Sequence, residues 1–148
     1  MPPKFNRIFI ASDHAGFDLK SKLITNIPIL YSSLDVKDIG CDNSKESVDY
    51  PDFAKKISFL IDHDNAMGIL ICGSGIGMSI AANRYSHIRA ALCHNCEMAK
   101  LARNHNDANI LCIGARNLDY SNAINMVKQF IEEDFSAGRH QKRVSKLS

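Results

Sequence analysis

Cys72 is followed by glycines at 73, 75 and 77, and it closes the apolar run Gly68-Ile69-Leu70-Ile71. An apolar run without alternation predicts a strand buried on both faces. Met78 to Asn83 predicts the start of a helix. A thiol at that junction sits where open parallel sheets bind ligands. The backbone N–H groups of such a glycine turn, with the helix dipole, stabilise negative charge: a phosphate, or an oxyanion formed during reaction. A helix N-terminus also favours the anionic form of a thiol, which acts as a base or a nucleophile. On residue type alone, Cys72 fits a buried strand end equally well. The glycines also fit a plain tight turn. They lack the lysine of a P-loop and the spacing of a dinucleotide fingerprint.

Four further groups carry polar chemistry. Asp13-His14 follows an apolar stretch; Asp13 suits a helix cap, and His14 suits proton transfer or phosphate binding. His105, in Arg103-Asn104-His105-Asn106-Asp107, reads as a turn residue, either solvated or a proton-transfer group. Arg116, Arg139 and Arg143 are candidate phosphate ligands, and the last two, four apart, can share a helical face. Cys93-His94-Asn95-Cys96 has CxxC spacing but no second pair to complete a zinc site, so no metal is expected. Five cysteines, an odd count, argue against a disulfide framework.

The elements that must position these groups alternate strand and helix. Strands are expected at Arg7–Ser12, Ile29–Asp35, Gly68–Cys72, Ile88–Cys93 and Asn109–Ile113. Helices are expected at Phe17–Ile27, closed by Pro28, and from Asp49 onward with Phe53, Ile57, Leu60 and Ile61 on one side. A third follows the glycine turn. A fourth spans His94–Asn104, with Met98, Leu101 and Ala102 inward. The last runs Tyr120–Asp134, burying Ala123, Ile124, Val127, Phe130 and Ile131 and capped by Asp119 or Ser121. The pattern predicts a Rossmann-like three-layer α/β/α fold with a five-stranded parallel sheet in the order 2-1-3-4-5.

Strand ends of a parallel sheet point one way, so Asp13-His14, Cys72-Gly73-Ser74, Cys93-His94 and Gly114-Ala115-Arg116 are expected along one rim. His105-Asn106-Asp107 precedes the fifth strand and reaches that rim only through an unusual connection or from a second subunit. That favours an oligomer.

The 148 residues suit one domain, 1–148, with 136–148 a basic C-terminal arm. A net charge of +2 does not suggest a nucleic-acid partner. No apolar run approaches the ~20 residues that span a bilayer, and no signal-peptide core is visible, so a cytoplasmic location is expected.

Asp13-His14-Ala15-Gly16, Asp49-Tyr50-Pro51, Ile71-Cys72-Gly73-Ser74-Gly75-Ile76-Gly77, Ile80-Ala81-Ala82-Asn83, Arg103 to Asn109 and Gly138-Arg139-His140-Gln141 together resemble type B ribose-5-phosphate isomerase, in the ribose/galactose isomerase family. The resemblance runs from Ile8 to about Val144. It implies interconversion of D-ribose 5-phosphate and D-ribulose 5-phosphate through an enediolate, in the non-oxidative pentose phosphate pathway, without metal or organic cofactor. It implies that Cys72 moves the proton between C2 and C1 and Ser74 shuttles the hydroxyl proton. The amides from Gly73 through Gly75 to Gly77 would stabilise the enediolate. His105, assisted by Asp13, would open the furanose ring. Asn106 and Tyr50 would hold the sugar, and His14, Arg116, Arg139 and Arg143 the phosphate. It further implies a homodimer or homotetramer with sites between subunits.

Two departures matter. Ser74 stands where many cysteine-type members have threonine, and the hydroxyl is kept. Another branch uses a glutamate as base where this chain has Met78, which cannot take a proton, so the chain resembles the cysteine branch. The same residues leave open an isomerase of allose 6-phosphate or galactose 6-phosphate, and a sugar-phosphate-binding module without turnover.

Overall fold

Apolar continuity decides which strands take the middle of the sheet. β3 (Ala66–Cys72) and β5 (Ile110–Gly114) are buried at every residue, and β1 (Arg7–Ser12) is buried from Ile8 onward. β2 (Asp35–Gly40) and β4 (Ala90–Leu92) are shorter of apolar side chains and partly exposed, and they take the edges. All pairings are parallel, in the order β2-β1-β3-β5-β4. The expected three-layer α/β/α architecture therefore holds, but the expected order 2-1-3-4-5 is corrected: the last two strands are exchanged. The three-residue Ala90-Ala91-Leu92 cannot fill a central position that Ile110-Leu111-Cys112-Ile113 fills on both faces. The computed structural model describes residues 3–62 and 64–148; Met1, Pro2 and His63, within the expected 1–148 span, lie outside the described residues.

Alternate residues of each central strand feed two cores. Ile8, Ile10, Met67, Ile69, Ile71, Leu111 and Ile113 pack under α1 (Phe17–Leu30), α4 (Cys96–Asn106) and α5 (Tyr120–Glu132). Phe9, Ala11, Leu70, Cys72, Ile110 and Cys112 pack under α2 (Tyr50–Leu60) and α3 (Ile76–Ala82). The tail forms α6 (Gly138–Val144), which lies against α4. A short 3-10 turn, His14–Gly16, links β1 to α1.

Several element boundaries differ from the sequence expectation. Pro28 lies inside α1, which ends when the Tyr31 N–H bonds to the Ile27 carbonyl at 2.9 Å. Ile29 and Leu30 are therefore exposed helical residues, and the second strand starts at Asp35, opposite Arg7. α4 starts later than His94 because the Asn95 side chain caps it, accepting from the Met98 N–H at 2.9 Å. That phase buries Ala99, Ala102 and Arg103 and turns Met98 and Leu101 outward. It also places His105 and Asn106 in the last helical turn rather than in a loop. In α5, Asp119 is the cap, Met126 is buried and Ile124 is only partly buried.

The β3–α3 loop rests directly on the end of β5. A Cβ added at Gly114 would lie 2.6 Å from the Ser74 carbonyl carbon and oxygen. Gly114→Ala is expected to destabilise the fold by about 1–3 kcal/mol, as overpacking does. Urea unfolding followed by circular dichroism measures it, and an unchanged midpoint contradicts this packing.

Candidate active site

From β1 the chain goes to β2 on one side and then crosses to β3 on the other, so the carboxyl ends of β1 and β3 flank a topological switch point. Cys72 ends β3 there, 5% exposed, on the face covered by α2 and α3. Its Sγ accepts the Gly75 N–H at 3.1 Å. Gly75 has φ of 79°, and a Cβ at that position would meet Leu92 and the Ile113 backbone within 3.1 Å. Only glycine reaches that conformation in that space without strain. The turn thus aims a main-chain donor at the sulfur.

Ser74 adds a hydroxyl beside it, whose Oγ accepts the Ile76 N–H at 3.2 Å at the start of α3. The other two glycines admit neighbours. A Cβ at Gly77 would fall 2.5 Å from the Tyr50 ring, and one at Gly73 2.8 Å from Arg116 Nη1. Tyr50 and Arg116 therefore cover the turn from opposite sides of the sequence. Met78, in the next helical position, is fully buried core.

Asp13 Oδ1 accepts from the Ala15 and Gly16 N–H groups at 3.0 and 3.2 Å, so this carboxylate caps the helical turn. His14 Nδ1 accepts the Val48 N–H at 3.2 Å, which leaves Nε2–H as the ring's donor in the neutral tautomer. One rim thus gathers Cys72, Ser74, Gly73, Gly75, Gly77, Asp13, His14, Tyr50 and Arg116.

A second cluster forms elsewhere. His105 lies before β5, whereas Cys72 pairs with Gly114 at its far end. The four strand steps from Ile110 to Gly114 alone separate them by ~13 Å at ~3.3 Å per residue. Around His105 stand Asn106, exposed on the same helical turn, and α6, whose Arg139 and Arg143 are exposed. The His105 and His140 rings stack, with centroids 4.1 Å apart and planes inclined by 14°. The candidate residues are therefore divided between two ends of the molecule.

His140 belongs to the second cluster and was not singled out as a site residue. It lies in the Gly138-Arg139-His140-Gln141 motif, but its contact with His105 spans 35 positions of sequence and has no local signal. Its pKa is lowered from 6.5 by loss of solvent, and then by the charges of His105, Arg139 and Arg143. Cys112, fully buried beside Cys72, has its thiol pushed well up by burial and then by the neighbouring Cys72 and Cys93. Burial alone pushes Cys93 up to about 12. Cys93 of the CxxC pair is thus a buried neutral thiol. Among the described residues, no His, Cys, Asp or Glu cluster has the form of a metal site.

The family model for ribose/galactose isomerases matches residues 8–147. The chain is 36% identical to ribose-5-phosphate isomerase B of Escherichia coli, across 96% of this chain and 94% of that protein. A Rickettsia conorii relative with only a provisional sugar phosphate isomerase name is 47% identical, across 97% of this chain and 99% of that protein. The solved structure of ribose 5-phosphate isomerase B from Anaplasma phagocytophilum superposes with a TM-score of 0.94, at 45% identity and full coverage of both chains. A Thermotoga maritima ribose 5-phosphate isomerase structure gives 0.88, at 47% identity over 95% of this chain and 96% of that one.

The histidine stack has a pH signature. A base whose pKa is depressed when docked binds its proton more tightly when undocked. Docking of α6 on α4 is therefore undiminished above pH ~6.5 and weakens as the pH falls below that value. His105→Ala removes both the cover and the neighbouring charge, so the His140 midpoint should rise toward 6.5. Titration of the His140 ring protons by NMR reads this, and a midpoint that stays or falls contradicts the stack.

Proposed function

Because the chain belongs to the ribose/galactose isomerase family, we propose that it interconverts D-ribose 5-phosphate and D-ribulose 5-phosphate, serving the non-oxidative pentose phosphate pathway in the cytoplasm. The observation that carries the reading is the Gly75 N–H aimed at Cys72 Sγ inside a glycine turn at the sheet's switch point.

The chemistry follows from what an aldose–ketose step needs. A C–H beside a carbonyl is weakly acidic, so a base alone is slow. Donors fixed where the oxyanion develops lower the barrier, and loss of one such donor typically costs about 3–4 kcal/mol. In the proposed mechanism Cys72 takes the C2 proton of the open-chain aldose and returns it to C1. Ser74 carries the hydroxyl proton between the two oxygens. The Gly73 to Gly77 amides hold the negative charge of the enediolate. A thiolate stabilised too strongly makes a weak base, so the useful balance lies near the operating pH. Tyr50 and Asn106 hold the sugar, and His14, Arg116, Arg139 and Arg143 the phosphate. His105, with Asp13 in support, opens the furanose ring. These steps need neither metal nor organic cofactor.

His105, Asn106, Arg139 and Arg143 serve this site only from a second copy, as a homodimer or homotetramer. The division of the candidate residues between two ends of one sheet supports that arrangement. So do the apolar side chains of α3 beside the glycine turn: Ile76 and Ile80 are 52% and 55% exposed. No helix among the described residues is long and apolar enough to cross a membrane.

Cys72→Ser should keep the fold and the affinity for ribose 5-phosphate but lose about 100-fold or more in kcat. Turnover like the parent's refutes the base. Deuterium from solvent should enter C2 of ribose 5-phosphate as the parent enzyme turns it over; neither turnover nor exchange would leave a binding module. Comparing kcat/KM for ribose 5-phosphate, allose 6-phosphate and galactose 6-phosphate checks the substrate, and a preference for either hexose phosphate overturns the pentose reading.

Shared sites also predict complementation. Cys72→Ser and His105→Ala chains, each nearly inactive, should regain about a quarter of native sites when mixed and allowed to exchange subunits in a two-fold assembly. Absence of any recovery after verified exchange contradicts the shared site.

A further inference from the structure

The turn that carries His105 and Asn106 is held from behind by one carboxylate. Asp107 is the residue past α4, in left-handed backbone at φ 47°. Its carboxylate accepts from Arg103 Nη1 at 3.0 Å, Arg89 Nη2 at 3.2 Å and Lys4 Nζ at 3.3 Å. Its carbonyl accepts Arg89 Nε at 2.8 Å. Arg89 comes from the segment before β4, Lys4 from the segment before β1, and Arg103 from α4 itself. A single residue thus ties two other segments of the fold, and the body of α4, to the end of that helix.

Arg103 makes the tie rigid. Its residue is 1% exposed, and Nη1 also donates to the Ala108 carbonyl at 2.6 Å. Its guanidinium carbon lies 4.8 Å from the centre of the Phe5 ring and 5.7 Å from that of Phe130. Burial lowers the Arg103 pKa, and the charge of the neighbouring Asp107 carboxylate opposes that shift. Replacing a buried ion pair by apolar residues is often neutral or stabilising, so the pair is poorly explained by stability alone. What directed hydrogen bonds add is orientation: Arg89 reaches the Asp107 carboxylate and carbonyl with two nitrogens, and Arg103 Nη1 joins the Asp107 carboxylate to the Ala108 carbonyl. A helix end that needed only to stop could use glycine at this left-handed position.

We infer that Asp107 is a positioning residue for the proposed reaction: gripped by Arg103 and Arg89, it aims His105 and Asn106 of one copy at the sugar ring held over Cys72 of another. This rests on the isomerase reading above. The step it would serve is ring opening. The C1–O4 bond breaks, O4 gains a proton through His105, and the O1 proton leaves to give the C1 aldehyde, with no net proton change. Displacement of a reacting group by about 1 Å can cost about 100-fold.

Two reactions separate positioning from general damage. Net isomerisation of ribose 5-phosphate needs ring opening. Exchange of the C1 hydrogens of ribulose 5-phosphate with D2O does not, since its O5 is esterified and it forms no five-membered ring. Both rates are measured on Asp107→Asn, Arg89→Gln, His105→Ala and Lys4→Met enzymes. Asp107→Asn and Arg89→Gln should slow net isomerisation by about tenfold or more while C1 exchange changes by less than about twofold. His105→Ala should show the same split, larger. Lys4→Met, which keeps both guanidinium contacts to Asp107, should slow net isomerisation less than Arg89→Gln does. If Asp107→Asn fails to fold by circular dichroism, Arg89→Gln decides, because it keeps the Arg103–Asp107 pair. A split in His105→Ala with both rates falling together, or neither falling, in Arg89→Gln and any folded Asp107→Asn enzyme overturns the positioning role alone. No split in His105→Ala, or no C1 exchange by the parent enzyme, overturns the reading beneath it and the proposal with it.

Discussion

A parallel sheet has polarity, and everything about this site depends on it. Every strand delivers its last residue to one rim, and every helix that precedes a strand ends at the other. Cys72 ends β3, so it belongs to the first rim; His105 ends α4, so it belongs to the second. No side-chain rotation spans the strand between them. The proposed chemistry needs both, and in the proposed assembly they meet across two copies. The exposed isoleucines of α3, the basic face of α6 and the stacked histidines acquire a common purpose under that constraint.

Within the first rim, the decisive economy is the absence of side chains. Gly73 and Gly77 are bare where Arg116 and Tyr50 lie close, and Gly75 takes a left-handed conformation that turns its N–H onto the sulfur. Burial pushes the Cys93 and Cys112 thiols up, toward neutral packing groups. One cysteine in this sheet has a main-chain donor from the glycine turn, and it is the one at the switch point.

What could be read in the residues was local. The buried strand ending at Cys72, the glycine turn, the Asp13 and Asp119 caps and the shared helical face of Arg139 and Arg143 are all signalled by neighbours a few positions apart. What could not be read depended on partners far along the chain. Ala90-Ala91-Leu92 and Ile110 to Ile113 both read as strands, and only competition for a doubly covered position puts β5 inside β4. Ile29 and Leu30 read as strand because they are apolar, yet α1 continues through Pro28 and leaves them in solvent. The phase of α4 turned on the Asn95 cap, and with it the burial of Arg103 in place of Met98 and Leu101. The motifs around Cys72 and His105 could each be seen, and strand polarity already set them at opposite rims; the meeting of Arg89 and Lys4 on Asp107, from 18 and 103 positions away, has no local signal.

The most direct test of the divided site is specific activity with ribose 5-phosphate against protein concentration, with molecular mass determined in the same samples. The account predicts that activity per chain tracks the oligomeric fraction and vanishes on dilution to the monomer. A monomer with undiminished activity per chain would contradict it.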